Sequence, residues 1–218
     1  GFYNPKSLIA VRKYSKFEEF NSDFLKKILL KALLNRKNIL KDDSFRLLFS
    51  ESDGIPGLII DKYNDHYVIQ IHCYGIDIRK DLIITAIHSL SPSSIYEKSE
   101  HSFRNLEGLE DKNGIIFGSI DKLVEIEQDG IKFLVDIANG QKTGFFFDLR
   151  DIRRKVREIS NGKNVLDLFC YSGGFSLYAA TGGANQITGI DSSKSALEIA
   201  KENAKINNIN NVHFESAD

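Results

Sequence analysis

Residues 164–216 alternate strand-like and helix-like runs in an order that leaves few folds open. NVLDLF (164–169) is a short apolar run, and it passes through Tyr171, Ser172 and the pair Gly173–Gly174 into a small-residue helical run from Phe175 to Thr181. QITGID (186–191) follows, then a helical pattern that Ser192 or Ser193 can open, then NVHFES (211–216). Strands alternating with helices require parallel neighbours joined by right-handed crossovers, the beginning of a doubly wound sheet. A helix over 149–160, with Ile152, Val156 and Ile159 on one side, leads into the first strand through Asn161 and Gly162. Ligands of such sheets lie beyond the carboxyl ends of the strands. One acid stands at each of those three ends, Asp167, Asp191 and Asp218.

The acids discriminate between nucleotide ligands. A dinucleotide site would place G-x-G-x-x-G directly after the first strand, because pyrophosphate needs glycine amides and a helix N-terminus. That spacing is absent, and Asp167 would repel a pyrophosphate. S-adenosylmethionine carries an ammonium and a sulfonium and no phosphate, so an acid suits it. Asp191 can accept hydrogen bonds from both ribose hydroxyls, as an acid at this topological position does in dinucleotide folds. Asp218 can accept one from the adenine amino group, and Gly173 and Gly174 let backbone approach the ligand. Each feature also has a plainer reading, a helix cap or solvated acid for a lone aspartate and a turn for a glycine pair. The three acids taken together favour the ligand. Cys170 has no histidine or other base beside it and reads as a buried structural thiol.

Upstream, FRLLFSE, GLIIDKY and HYVIQIHCYG are β-rich runs separated by the turn signals DGIPG and YNDH. A helix of about fourteen residues is expected from Asp77 to Leu90, and IYEKSE, GIIFG, LVEIEQDG and IKFLVDI again read as strands. Before them, Asn21 or Ser22 can cap a helix whose Phe24, Leu25, Ile28, Leu29, Ala32 and Leu33 recur at helical spacing. The fold class expected is α/β, a partial Rossmann-like methyltransferase domain preceded by a small α+β domain. The expected divisions are 1–20, a tail; 21–43, a connector helix; 44–135, the central α+β domain; and 136–218, the first part of the Rossmann-like domain.

The chain carries a net charge of −1, which does not advertise a general nucleic-acid binder. Its basic clusters, Lys26 to Lys41 and Arg150 to Arg157, therefore serve a local contact or simply solvate helix faces. Cys73 and Cys170 show no metal or disulfide spacing, and no metal site is expected. No apolar run reaches the roughly 20 residues that span a bilayer, so a cytoplasmic location without membrane contact is the expectation. There is no methionine in the chain, and the residues after the third strand stop at Asp218, so the chain reads as a fragment.

At these residues the chain resembles the large-subunit ribosomal RNA cytosine-5 methyltransferases of the type with an N-terminal PUA domain, an RNA-binding module. FYNPKSLIAVR (2–12) is similar to the end of that PUA domain, ESDGIPGLIIDKY (51–63) to the central domain, GQKTGFFFDLRDIRR (140–154) to the most specific signature, and DLFCYSGGFS (167–176) to the first cofactor motif. The resemblance implies that Lys142, Thr143, Phe147 and Arg150 wall or orient a cofactor pocket. It implies too that Asp167, Tyr171, Gly173, Asp191 and Asp218 bind S-adenosylmethionine, with Phe169, Ser172, Gly174 and Ser192 in the same loops. Arg150 is suited to pairing the methionyl carboxylate. Phe147 stands where the family has leucine, and Leu149 where it has glutamine, so Leu149 is left out of the site.

The family methylates carbon 5 of a pyrimidine by attack of a thiolate on carbon 6 and later removal of the carbon-5 proton by a base. Its thiol and Asp-Pro-Pro loop follow the third strand, so no catalytic residue is assigned here, and the chain alone is expected to bind cofactor weakly and methylate nothing. RNA, ribosomal RNA first, is the implied partner, and a homodimer is admitted. Two other function classes fit the same residues: a methyltransferase of small molecules or proteins, and an RNA-binding protein that keeps the scaffold without catalysis. A nicotinamide dehydrogenase fits less well, for want of the phosphate-binding glycines.

Overall fold

The computed structural model describes residues 1–100 and 102–217. Two compact units emerge, Gly1–Lys122 with Ile137–Gly144, and Leu123–Asp136 with Phe145–Asp218. The chain therefore crosses between them three times.

In the first unit, β1 (Phe2–Tyr3) and β2 (Val11–Arg12) form a short antiparallel ribbon. α1 (Ser22–Ile39) starts at Asn21, whose side chain accepts from the Phe24 amide at 3.0 Å. Next come β3 (Phe45–Phe49), β4 (Leu58–Tyr63), β5 (His66–Ile71), α2 (Tyr74–Asp77), α3 (Lys80–His88), β6 (Ser94–Ser99), α4 (Ser102–Leu106) and β7 (Lys112–Gly118). The five strands β3 to β7 lie side by side in chain order, antiparallel except for β5 and β6, whose parallel pairing needs the crossover that α2 and α3 supply. The fourteen-residue helix expected over 77–90 is the shorter α3, and of that range only Asp77 belongs to α2. Arg79, at φ −118° and ψ 18°, leaves helical geometry between them.

One sheet face, with Phe45, Leu47, Leu58, Ile60, Ile69 and Ile71, buries against Leu25, Leu29 and Ala32 of α1 and Ile83, Ala86 and Ile87 of α3. Each such leucine, isoleucine or phenylalanine contributes about 1.5–3 kcal/mol of burial. The N-terminal ribbon is held by one buried carboxylate. Glu107 accepts from the Ser7 hydroxyl, from Asn4 Nδ2 at 3.0 Å, from Arg12 Nη2 at 3.2 Å and from the Tyr74 amide at 3.2 Å. Segment 137–144 is tied down as firmly. Lys98 Nζ donates to the carbonyls of Ile137, at 2.8 Å, and Gly140. The Thr143 hydroxyl donates to Asp61 Oδ2 at 2.6 Å and shares a hydrogen bond with the Tyr63 hydroxyl at 2.9 Å. Asp61 is in turn gripped by both sides of the Arg46 guanidinium at 2.9 Å.

The second unit opens with the hairpin β8 (Val124–Gln128) and β9 (Ile131–Val135). Asp129 and Gly130 both take positive φ, +55° and +80°, the two-residue turn that suits strand twist. The sequence reading put this hairpin with residues 44–135, whereas here Phe133 packs on Phe145 and Tyr178 of the second unit. Strand alternation identifies the inward residues but not the core they fill. After α5 (Arg150–Ile159) follow β10 (Asn164–Leu168), α6 (Gly174–Thr181), β11 (Gln186–Asp191), α7 (Lys194–Ile206) and β12 (Val212–Ser216). β10, β11 and β12 are neighbours in that order and all parallel. Ala179 and Ile187 meet Val156, Val165 and Val212 in the small core between helices and sheet. The unit is Rossmann-like, an α/β fold. Among the described residues no helix is long and apolar enough to cross a membrane.

Candidate functional site

The first strand hands over to its helix through five residues with an unusual backbone. Phe169, Tyr171 and Gly173 take φ of +58°, +51° and +79°. The left-handed region costs a residue with a Cβ about 1–2 kcal/mol, so the loop persists because its neighbours hold it. The Cys170 amide extends the ladder by donating to the Ile190 carbonyl at 3.0 Å, and the Gly173 amide closes a turn on the Cys170 carbonyl at 2.8 Å. Gly173 has no room for a side chain, since a Cβ would lie 2.9 Å from the Phe214 ring and 3.0 Å from Leu177.

Asp191, at the end of β11, grips this loop. Its Oδ2 accepts from the Tyr171 amide and its Oδ1 from the Ser193 amide, each at 2.8 Å. Ser193 caps α7 by accepting from the Ala196 amide. One carboxylate thus joins the loops that leave two adjacent strands. Asp167 is paired in register with Gly189, two residues before Asp191, so the two acids share one edge of the sheet. Only 8% of Asp167 is exposed. Its Oδ2 accepts from both the amide and the hydroxyl of Ser176, at 3.0 and 2.6 Å, so the acid anchors the first turn of α6. Burial pushes its carboxyl above the usual range, and the Asp191 charge adds to this against the Ser176 hydrogen bonds and Arg153. Two carboxylates on one edge of the sheet favour a cationic, phosphate-free ligand over an anionic one.

The other expected residues divide clearly. Ser172, Gly173 and Gly174 are buried in the loop, Tyr171 is half-buried, Ser192 is exposed beside Asp191, and Phe169 is 88% exposed. Phe147 is buried, edge-on to Phe145 at 5.3 Å. Phe146 reaches Tyr171, at 5.7 Å and nearly perpendicular. Arg150 is buried with its Nε 3.6 Å from Asp129 in the hairpin turn, so its ion partner is a carboxylate of the protein itself. Lys142, exposed with φ +52°, and Thr143, whose hydroxyl is spent on Asp61 and Tyr63, lie in the first unit. Asp218 lies outside the described residues.

Sequence reasoning missed Ser176 and Arg153. Arg153 is buried, stacks 4.5 Å over the Phe145 ring, and donates to the Phe146 carbonyl at 3.0 Å and to Gln128 Oε1 at 3.2 Å. A Cβ on Gly174 would come within 2.9 Å of its guanidinium, which is why the second glycine of the pair is needed. Burial lowers the Arg153 pKa to about 10, so the cation persists at neutral pH. Nothing in the local sequence marks it, for it reads as one more charge in the Arg150–Arg157 cluster. Cys170 is buried, and burial pushes its thiol up to about 12.

The family described as S-adenosylmethionine-dependent methyltransferase matches residues 100–215. A protein of Aeromonas hydrophila named ribosomal RNA large subunit methyltransferase I is 41% identical over 217 residues, 96% of this chain and 55% of that protein. A solved S-adenosylmethionine-dependent methyltransferase from Streptococcus mutans superposes with a TM-score of 0.80 at 25% identity, covering 93% of this chain and 54% of its own. A methyltransferase structure complexed with SAH gives a TM-score of 0.81 at 25% identity over 93% of this chain and 53% of its own. The chain spans about half the length of the curated relatives it matches.

Proposed function

Because the chain belongs to the S-adenosylmethionine-dependent methyltransferase family, we propose that its second unit holds S-adenosylmethionine across the carboxyl ends of β10 and β11. The protein built on it then methylates RNA, at carbon 5 of a cytosine in the large-subunit ribosomal RNA. The observation that carries the cofactor site is Asp191. Each of its oxygens accepts one backbone amide, and a carboxylate offers about four lone-pair sites, so acceptor capacity remains for the two ribose hydroxyls. Ser192, exposed beside it, adds a hydroxyl. Asp167 contributes its charge from beneath the loop, while Tyr171, Ser172, Gly173 and Gly174 offer backbone. Phe169 and Tyr171 supply aromatic surface.

Thr143 acts in this reading through its neighbours. Its hydroxyl is taken by Asp61 and Tyr63, so it fixes the backbone on which Lys142 stands. Phe147 and Arg150 are kept as walls of the pocket on the family resemblance, and Asp218 as the acceptor for the adenine amino group on its place after the third strand. When bound, S-adenosylmethionine supplies an electrophilic methyl group. The thiolate that pyrimidine carbon-5 chemistry needs is assigned to no residue of this chain, since Cys73 and Cys170 are both buried with thiols pushed up to about 11 and about 12.

RNA as substrate is supported by the name of the Aeromonas relative, and cytosine by the family resemblance. Calorimetric titration tests the cofactor site. S-adenosylmethionine should bind the chain and NAD should not, and Asp191→Ala should weaken binding at least tenfold. No heat at millimolar S-adenosylmethionine would remove the proposal. Labelled methyl transfer from the whole protein to large-subunit ribosomal RNA of a strain lacking it then tests the substrate.

A further inference from the structure

Asn203 in α7 and Asn207, the residue that ends it, lie one helical turn apart, and both turn their carboxamides to β9. Asn207 imitates a strand edge, accepting from the Lys132 amide at 2.9 Å and donating to the Lys132 carbonyl at 2.7 Å. Asn203, fully buried, divides its two ends. Its Oδ1 accepts from the Leu134 amide at 2.7 Å, and its Nδ2 donates to the Ser172 carbonyl at 3.0 Å. Ser172 sits between Tyr171 and Gly173, both in left-handed backbone. A loop of that kind relaxes unless its peptides are held. Asp191 holds the Tyr171 amide, and Asn203 holds the Ser172 carbonyl.

We propose that Asn203 is a positioning residue for the cofactor loop: through the Ser172 carbonyl it keeps the Tyr171–Gly173 backbone in ligand-binding geometry and couples that loop to the β8–β9 hairpin. The inference rests on the cofactor site proposed above. It makes the hairpin part of the binding apparatus although no hairpin residue needs to touch the ligand. It also separates the two asparagines, since loss of Asn207 frees a strand edge and the Asn203 backbone carbonyl, whereas loss of Asn203 frees a strand amide and a loop carbonyl.

The test compares Asn203→Ala, Asn203→Asp and Asn207→Ala in the full chain. Asn203→Asp keeps an acceptor for Leu134 and, when ionised, sets an oxygen against the Ser172 carbonyl, so it breaks the loop link at the added cost of a buried charge. Both alanine variants should lower the urea midpoint, while S-adenosylhomocysteine affinity, read by calorimetry, should fall roughly tenfold for the Asn203 variants and less than twofold for Asn207→Ala. Amide exchange at Gly173 should quicken in the Asn203 variants only. Binding by the Asn203 variants within twofold of the unaltered chain, or an equal loss in Asn207→Ala, would overturn the proposal. If the unaltered chain itself binds no S-adenosylhomocysteine, the cofactor site has failed, and the exchange rates at Gly173 still decide whether Asn203 holds the loop. Should Asn203→Ala not fold, the near-isosteric Asn203→Asp carries the comparison.

Discussion

Replacing Gly173 by alanine separates backbone strain from crowding, because Gly162 supplies the control. Both glycines have positive φ, +79° and +69°. At Gly162 an added Cβ meets nothing within 4 Å. Gly162→Ala should therefore show strain of about 1–2 kcal/mol, offset by about 0.4–1 kcal/mol from the stiffer unfolded chain, a net loss near 0.5–1 kcal/mol. At Gly173 the same Cβ would stand 2.9 Å from Phe214, 3.0 Å from Leu177 and 3.2 Å from Ala200. These are ring and methyl atoms of a packed core, and overpacking there adds about 1–3 kcal/mol. Gly173→Ala should thus cost about 2–4 kcal/mol, roughly three times the control. Urea unfolding followed by far-ultraviolet circular dichroism and by the fluorescence of the 8 tyrosines, with no tryptophan to mask them, measures both. If the two variants fall within about 0.5 kcal/mol of each other, a scatter ordinary for surface changes, the contact reasoning at the loop is wrong.

Acid should loosen the N-terminal ribbon. Burial alone would raise the Glu107 carboxyl, but hydrogen bonds from Ser7, Asn4, the Tyr74 amide and Arg12 outweigh it and hold the group below its ordinary 4.5. A depressed carboxylate stabilises the fold fully above its unfolded value and loses that contribution as pH falls through its folded one, so amide exchange in β1 and β2 should quicken as pH drops below 4.5. Glu107→Gln should flatten that dependence, and an acid limb identical in the variant would count against the assignment. Thr143→Val keeps shape and removes the hydroxyl between Asp61 and Tyr63, so it should lower stability by about 1–3 kcal/mol. Thr143→Ser should retain most of it, and equal urea midpoints for threonine and valine would contradict the buried chain of hydrogen bonds.

Much of the second unit was legible because its signals are local. The alternation from Asn164 to Ser216 returns as β10, α6, β11, α7 and β12, all strands parallel. Ser193 caps α7 as the serine pair suggested. Other features depended on contacts between residues far apart in sequence. The hairpin's inward residues were visible, but its packing against Tyr178 was not. Arg150 was read toward a ligand carboxylate, and the structure also sets its Nε 3.6 Å from Asp129, 21 positions earlier. The helix expected over 77–90 starts only at Lys80, because Arg79 leaves helical geometry and no capping residue in the sequence marks the place.

The order of residues determined, by itself, that three strands run parallel and that Asp167 and Asp191 fall toward the ends of the first two, since both follow from periodicities and caps within one or two elements. Only the tertiary structure decided what each acid does. Asp167 turns its Oδ2 to Ser176, and Asp191 fastens one loop to the next. Those choices are hydrogen bonds between side chains and backbone groups that only packing brings within reach, and the directions of such groups are set by the burial of everything around them.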